Sequence, residues 1–434
     1  MITTEELYKV YKNYSLISTD TRNIIPGSVF FALKGPSFNG NIFAKTAIEK
    51  GAAFAVIDEE EYQQGPQYLL TDNVLTALQN LSNHHRHQLS IPFLAITGSN
   101  GKTTTKELVK NVLSSKFRVL ATKGNLNNHI GVPLTILSIQ NDIQFAVIEM
   151  GANHLQEISS YCNIAEPDYG LITNVGKAHL EGFGGFEGVK KGKGELYEWI
   201  SRNGKGVFLN IDSGDLSVMA EKNKIENVIR YGTNGETFCK GKLISDQPYL
   251  TVEWKCGENS GKIQSQLTGA YNFENILSAV CIGNFFGVGA SDIDRAIGSY
   301  MPDNSRSQIV KKGSNTIILD AYNANPTSME AALVNFSKMT GENKIVFLGD
   351  MAELGEESVF EHNRILEILS EQKYETVVLV GPVFGSLKND LNAILFPDSA
   401  AAAEWMKKNP VNNRSVLIKG SRSMMMEKIL DAID

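Results

Sequence analysis

FLAITGSNGKTTTK, residues Phe93 to Lys106, is the stretch from which the fold is read outward. Its first four residues, Phe93 to Ile96, form an apolar run of the kind that makes a buried parallel strand. Gly98, Ser99, Asn100, Gly101, Lys102 and Thr103 follow at once, and Leu108, Val112 and Leu113 mark an amphipathic helix behind them. Strand, glycine loop, Lys-Thr and helix in that order make a phosphate-binding loop. Glycines let backbone N–H groups turn inward, and the helix N-terminus presents its positive dipole end to the same anion. Ile96 stands where the usual GxxxxGK[ST] pattern has its first glycine, so this is the short form GxxGKT. The candidates for ATP are Thr97, Gly98, Ser99, Asn100, Gly101, Lys102, Thr103 and Thr104. Lys102 is placed to reach the β- and γ-phosphates and the Thr103 hydroxyl to ligate Mg²⁺.

The chain has 434 residues, more than one hydrophobic core usually supports, so two or three domains are expected. A net charge of −7 without a dense basic cluster points to small-molecule partners rather than nucleic acid. Cys162, Cys239, Cys256 and Cys281 show no CxxC pair, which reads as a reducing compartment, the cytoplasm. No apolar run approaches the roughly 20 residues of a membrane span.

Before the loop, residues 1–88 alternate short elements: a strand at Ser28 to Leu33, a helix at Ile42 to Lys50, a strand at Phe54 to Ile57. Asp20, Thr21 and Arg22 lie in a polar turn that suits either a ligand or a simple cap. His84 and His87 have metal-compatible spacing, but with no acidic partner in view they, with His85, read as the solvated face of a linker.

From 89 to 306 the βα alternation is strong, with strands at Phe93 to Ile96, Val119 to Thr122, Phe145 to Met150, Tyr169 to Val175 and Val207 to Ile211. That predicts a mostly parallel sheet with ligands at the carboxyl ends of its strands. Glu149 and His179 fall there and suit Mg²⁺, though an ion-paired carboxylate and a loop histidine explain them too. Asn125, Asn127 and Asn128 follow the second strand. Lys193 lies in a lysine-rich helix that reads by default as solvated, except that Gly192 and Gly194 flank it. Residues 227–269 read as an antiparallel appendage, and Asn272 and Asn275, one turn apart, suit a base edge or a helix cap.

Beyond 307 the pattern restarts, with strands at Thr316 to Leu319, Lys344 to Leu348, Thr376 to Val380 and Ser415 to Ile418. Asp320 ends the first, ahead of Asn323 and Asn325. The last runs into Lys419, Gly420, Ser421, Arg422 and Ser423 before a Met-rich helix, a seat for a carboxylate or a capped helix start.

With the loop, GNLNNHIGVP (Gly124 to Pro133), VIEMGANH (Val147 to His154), AHLEGFG (Ala178 to Gly184), KGELY (Lys193 to Tyr197), YNFEN, DAYNANP (Asp320 to Pro326), GDMAELG (Gly349 to Gly355) and KGSRS (Lys419 to Ser423), the chain resembles the Mur ligases. The loop is shared with folylpolyglutamate synthetases; the other motifs narrow the resemblance. It implies an α/β chain of three domains: a UDP-sugar-peptide domain (1–88), a central P-loop ATPase domain (89–306) and a Rossmann-like domain that carries the incoming amine (307–434). It further implies an ATP-dependent ligase, a cytoplasmic monomer joining D-alanyl-D-alanine to a UDP-linked muramyl tripeptide through an acyl phosphate.

By position, Lys102 and Thr103 then serve the γ-phosphate and first Mg²⁺, Glu149 that metal and His179 a second; Lys193 matches a lysine that is carbamylated in the family. Catalysis falls to Lys102, His179 and Lys193. Asn272, Asn275, Arg306 and Asp320 match positions around adenine and ribose. Asp20, Thr21, Arg22, Asn125, Asn127, Asn128, Asn323, Asn325, Lys419, Ser421 and Arg422 match the substrate side. The family's DSR is Asp20-Thr21-Arg22 here, its DGH is Asn39-Gly40-Asn41, and its KGR is Asn304-Ser305-Arg306; YNFEN has Tyr271 where histidine is usual. Two other readings are a sister ligase adding the third amino acid, whose DNPR signature is missing here, and a nucleotide-regulated binding protein. The third residue of the tripeptide, lysine or diaminopimelate, is not encoded in these motifs.

Overall fold

The loop strand, Phe93–Thr97, lies inside a nine-stranded sheet in the computed structural model, which describes residues 1–302, 306–339, 343–388 and 390–433. All five of its residues are buried, as a parallel strand covered on both faces requires. From one edge the order is Val119–Ala121, Phe145–Glu149, Phe93–Thr97, Tyr169–Ile172, Gly206–Asn210, Val228–Gly232, Cys239–Ser245, Thr251–Cys256 and Asn259–Gln264. The pairings are parallel as far as Cys239–Ser245, and the last two strands turn back antiparallel. The chain leaves Phe93–Thr97 toward one edge and later returns to its other side at Tyr169–Ile172. The glycine loop therefore opens at the point where strand order reverses, the crevice in which open α/β sheets take ligands.

Helices Lys102–Ser114, Asn272–Phe285 and Ala290–Gly298 bury one face of this sheet. Gly131–Leu137, Glu157–Ala165, Phe186–Asn203 and Gly214–Lys222 bury the other. The second apolar cluster continues without a break into the C-terminal lobe, joining Leu180 and Phe183 to Met351 and Leu354.

Residues read as an appendage are the far edge of the central sheet instead: alternate residues of Thr251–Cys256 are buried and pack with Leu277 and Val280. On this hairpin Cys239 stands opposite Cys256 in register, and the two are joined in a disulfide, while Cys162 and Cys281 are free and buried. Reading the cysteines as thiols of a reducing compartment misses this bond, because the pairing comes from strand register, which spacing in the chain does not reveal.

Two smaller sheets flank the centre. Ile17–Ser18, Val29–Phe31, Phe54–Ile57 and Tyr68–Leu70 form a parallel sheet of four strands. The helix expected at Ile42 to Lys50 opens as a 3₁₀ turn, Gly40–Phe43, and becomes α-helical at Ala44–Glu49. His84 and His85 lie inside a helix, Val74–Arg86, and not in a solvated linker. His85 is buried, its Nε2 3.0 Å from the Ile139 carbonyl, and burial pulls its pKa down. His87 does have an acidic partner, Glu166, at 2.8 Å.

The C-terminal sheet has six strands in the order Gln308–Lys312, Asn315–Asp320, Ser415–Lys419, Lys344–Gly349, Thr376–Val380 and Ile394–Phe396. It contains the four expected strands and two edge strands, the polar, mostly half-buried Gln308–Lys312 and the three-residue Ile394–Phe396. The expected Met-rich helix is a 3₁₀ turn, Arg422–Met424, a left-handed Met425 and a short helix, Glu427–Asp431.

Candidate active site

Two glycines make the loop possible. Gly98 has φ +142°, and a Cβ there would lie 2.0 Å from Thr173 Oγ1; Gly101 has φ +78°, and a Cβ there would lie 2.5 Å from Asn275 Oδ1. Both positions combine a left-handed backbone with a neighbour that leaves no room for a side chain. The loop is braced from the next strand end: Thr173 Oγ1 and Asn174 Nδ2 donate to the Asn100 carbonyl at 2.6 and 3.1 Å, and Asn100 N–H donates to Asn174 Oδ1 at 3.0 Å. Ser99 Oγ bonds to the carbonyl and N–H of Gly176. Thr97 is spent within the sheet, its hydroxyl donating to the Met150 carbonyl at 2.7 Å.

Lys102 curls back over the loop, its Nζ donating to the carbonyls of Gly98 (2.7 Å) and Ser99 (3.1 Å). Desolvation draws its pKa down to about 8, with Glu149 opposing and Arg306 adding to the shift. Thr103 is buried, and its hydroxyl stands 3.0 Å from both oxygens of Glu149. Asn127 Nδ2 donates to the same carboxylate at 2.8 Å. Thus Thr103, Glu149 and Asn127, each named from sequence, converge on one corner. The other loop asparagines do not: Asn125 is exposed, and Asn128 Oδ1 accepts from the N–H groups of Ile130 and Gly131 where the helix Gly131–Leu137 begins. Thr104 is buried, and Thr105 donates to Asn275 Oδ1 at 3.0 Å.

His179 and Lys193 sit on separate partners. His179 Nδ1 is hydrogen-bonded to Glu353 of the C-terminal lobe, and that contact holds the Glu353 carboxyl below the usual carboxylate range. Lys193 is 1% exposed rather than solvated, its Nζ donating to the Ala152 carbonyl at 2.9 Å and lying 5.0 Å from the centre of the Phe183 ring. Burial first, and the Lys102 charge second, push this amine well below an ordinary lysine. Among the described residues no three His, Cys, Asp or Glu side chains cluster about one point.

Asn272 and Asn275 are buried and bonded in a chain: Asn275 Nδ2 donates to Asn272 Oδ1, and Asn272 Nδ2 to the Thr268 carbonyl, both at 2.8 Å. They buttress the loop helix through Thr105. Arg306 stacks 3.9 Å over the Tyr322 ring with its Nε buried and without a hydrogen-bond partner; Asn304 and Ser305 lie outside the described residues. Asp320 accepts from Ser307 N–H at 3.1 Å and pairs with Lys419 at 2.5 Å. Lys419 is 1% exposed and reaches the Asn323 carbonyl as well.

The carboxylate seat expected at Ser421 and Arg422 is taken up internally. Ser421 Oγ accepts from Ala352 N–H at 2.7 Å, Arg422 N–H donates to Asn323 Oδ1 at 3.4 Å, and the Arg422 guanidinium pairs with Glu427 at 3.0 Å. In the N-terminal sheet Asp20 caps the turn Thr21–Asn23 and is gripped by Arg22, so these residues satisfy one another at the surface.

The C-terminal lobe reaches the loop directly. Asn325 Nδ2 donates to Asn100 Oδ1 at 2.8 Å, Thr327 Oγ1 accepts from Lys177 N–H at 3.1 Å, and Lys177 pairs with the buried Glu361. Asn174 is marked in the sequence as a polar group closing the strand LITN, and Glu353 lies within GDMAELG, but the contacts of these two and of Lys177 and Glu361 carry no sequence signal, because each acts on a partner distant in the chain.

Three family models together match most of the chain: "Mur ligase family, catalytic domain" over residues 13–96, "Mur ligase middle domain" over 96–283 and "Mur ligase, glutamate ligase domain" over 305–422. The UDP-N-acetylmuramoyl-tripeptide–D-alanyl-D-alanine ligase of Bacillus subtilis is 32% identical over 429 residues, covering 95% of this chain and 92% of its own. Among solved structures, MurF from Acinetobacter baumannii superposes with a TM-score of 0.85 at 29% identity, covering 99% of this chain and 98% of that one. MurF ligase from Thermotoga maritima in complex with ADP gives 0.84 at 26%, covering 96% of each. A glycine loop at the reversal point of a parallel sheet, a Thr-Glu corner beneath it and a third lobe bonded to its rim thus occur in a chain whose three parts match these models in order, and the chain belongs to the Mur ligase family.

Proposed function

We propose that this protein joins D-alanyl-D-alanine to a UDP-N-acetylmuramoyl-tripeptide, turning ATP into ADP and phosphate, as a monomer in the cytoplasm. The names of its relatives support the reaction class and the two substrates, and the ADP complex of a similar enzyme supports the nucleotide. The observation that carries the reading is that Lys102, Thr103 and Glu149 meet at the sheet's reversal point while Asn325 of the C-terminal lobe bonds to the loop itself. That arrangement brings a phosphate site and the lobe for the incoming amine to one rim.

A carboxylate is a poor electrophile. In the first step an oxygen of the tripeptide carboxylate bonds to the γ-phosphorus and the bond to the β-phosphate bridge breaks, releasing ADP. In the second, the dipeptide amine attacks the acyl carbon, a tetrahedral intermediate forms, the bond to phosphate breaks and the amine proton is lost. Positioning and charge do most of this work, since phosphoryl transfer asks little covalent chemistry of a protein. Lys102 leaves its loop carbonyls for the phosphates, and the bracing of Asn100 by Asn174 holds the loop open to them.

The donor set fits a divalent cation. Glu149 is 1% exposed, with both oxygens facing a hydroxyl, a hard-oxygen corner of the kind Mg²⁺ takes. When bound, the metal supplies positive charge to the phosphate oxygens; Thr103 and Glu149 would hold one ion, with His179 and a carbamylated Lys193 toward a second. A buried amine whose protonation is suppressed is the form that adds to carbon dioxide, losing a proton and becoming an anionic carbamate. The Asp20-Thr21-Arg22 turn would meet the sugar nucleotide, and Asn323, Lys419, Ser421 and Arg422 the dipeptide, once each exchanges its internal partner for substrate.

Phosphate release and product mass test the proposal. A ligase releases phosphate only when Mg²⁺, the UDP-tripeptide and the dipeptide are all present, and forms the pentapeptide product in equal amount. Phosphate release that ignores both peptide substrates would overturn it.

A further inference from the structure

Lys106 lies beside the Thr103–Glu149 corner, and the reaction above gives it no role. It lies one turn beyond Thr103 on the helix Lys102–Ser114, and its side chain is 0% exposed. Its Nζ has no hydrogen-bond partner of good geometry, an arrangement seldom left in a folded protein without reason. Two carboxylates surround it. One oxygen of Glu107 is 3.1 Å away and Oε2 of Glu149 is 3.5 Å away. Glu149 is itself buried, so the two form an ion pair out of water, held at a separation that leaves neither fully satisfied. Glu107 is partly exposed, 26% for its side chain, and its other oxygen leans toward Lys110 at 3.9 Å.

The charges explain the geometry. Without a cation at the corner, Glu149 is a buried anion whose only formal counter-charge in contact, among the described residues, is Lys106, with neutral donors from Thr103 and Asn127. A divalent ion arriving at the same carboxylate would meet that ammonium at close range, and like charges in a buried site repel strongly. Glu107 already lies nearer to Lys106 than Glu149 does, 3.1 Å against 3.5 Å, and can hold it once Glu149 turns to the metal. We propose that Lys106 is a placeholder cation: it is shared between Glu149 and Glu107 until metal and nucleotide arrive, then rests on Glu107 alone, so this three-residue relay sets how tightly the metal–nucleotide pair is held. The proposal rests on the nucleotide reading given above and assigns the positioning role to Lys106 and Glu107, neither of which needs to touch substrate.

Opposite signs test it. With the full-length protein, binding of ADP is measured by calorimetry as Mg²⁺ is titrated, and the thermal midpoint is recorded with and without the pair. Lys106→Met removes the competitor for Glu149, so the half-saturating Mg²⁺ concentration falls by roughly tenfold, the size of effect an opposite charge at this range exerts on a carboxylate. The unliganded midpoint falls, because Glu149 is left uncompensated, and Mg²⁺ with ADP raises it by more than in the unaltered protein. Glu107→Gln takes away the alternative partner on a part-exposed helix face that tolerates the change. Its half-saturating Mg²⁺ concentration rises severalfold, while ADP binding without Mg²⁺ stays the same. Shifts of the same sign in both variants, or no shift in either, would overturn the relay even where the unaltered protein responds to Mg²⁺. An unaltered protein whose ADP binding ignores Mg²⁺ would overturn the nucleotide reading and the relay with it.

Discussion

The central sheet edge and the N-terminal turn were both rich in candidate residues, yet they are built in contrasting ways. At Asp20-Thr21-Arg22 the polar groups close on one another at the surface: Arg22 grips Asp20, which falls to about 2, and Lys50 Nζ donates to the Thr21 carbonyl. At the centre they are buried or half-buried and held on provisional partners, the half-buried Lys102 on its own loop carbonyls, the buried Lys193 on Ala152, the buried Lys106 with no good hydrogen bond at all. Burial is the difference that matters. A buried charge with poor partners is costly and gains most when a ligand arrives, whereas an exposed pair costs little and gains little.

The largest effect expected from that contrast is at Glu149. Glu149→Gln keeps the shape and removes the charge, and ligation measured as phosphate release should fall by ~10²–10³-fold, the usual scale for losing one electrostatic group at a transition state. A fall of less than threefold would place the corner outside the chemistry.

Next is the pH dependence of the unliganded protein. Lys102 is lowered from 10.5 to about 8, so between those values the unfolded chain binds more protons than the folded one. Stability therefore rises as pH climbs from 8 toward 10.5, where the penalty for a charged, desolvated lysine disappears. Denaturant unfolding should show a gain of ~1–2 kcal/mol relative to Lys102→Met, allowing for the partial exposure of the side chain. Identical pH slopes in the two proteins would mean that Lys102 is not desolvated.

A smaller effect is expected where the C-terminal lobe meets the loop. Asn325→Asp keeps the oxygen that caps Pro326–Lys338 but loses the amide that donates to Asn100. The KM for the dipeptide should rise about five- to tenfold, the worth of one hydrogen bond, with the thermal midpoint little changed. An unchanged KM would show that the contact is not used in catalysis.

Smallest of all is Arg22→Ala. Its ion pair with Asp20 is at the surface, so the thermal midpoint should not move. The KM for the UDP-tripeptide should rise about two- to fivefold if Arg22 exchanges Asp20 for the sugar nucleotide, and an unchanged value would leave the turn as a cap alone.

Much of the centre was legible in the sequence because it is local. Phe93–Thr97, its glycines, Lys102 and Thr103 are consecutive, and alternating apolar runs marked Phe145–Glu149, Tyr169–Ile172 and Gly206–Asn210 to within a few residues. Glu149 was found because ligands gather at strand ends. Lys193 was less legible: three lysines in a row of four read as a wet helix face, and only packing against Phe183 and Ala152 shows it buried. His85 went astray for the same reason, since the Ile139 carbonyl that takes its Nε2 lies far along the chain.

By itself, the sequence determined the α/β class, the glycine loop at a strand end and the chemistry of its side chains, because strand period, glycine conformation and motif spacing act over a few residues. Tertiary structure alone decided which groups face one another: Cys239 with Cys256, His179 with Glu353, Lys106 between Glu107 and Glu149. Those meetings depend on strand order and register and on how the lobes pack, and no local pattern carries that information.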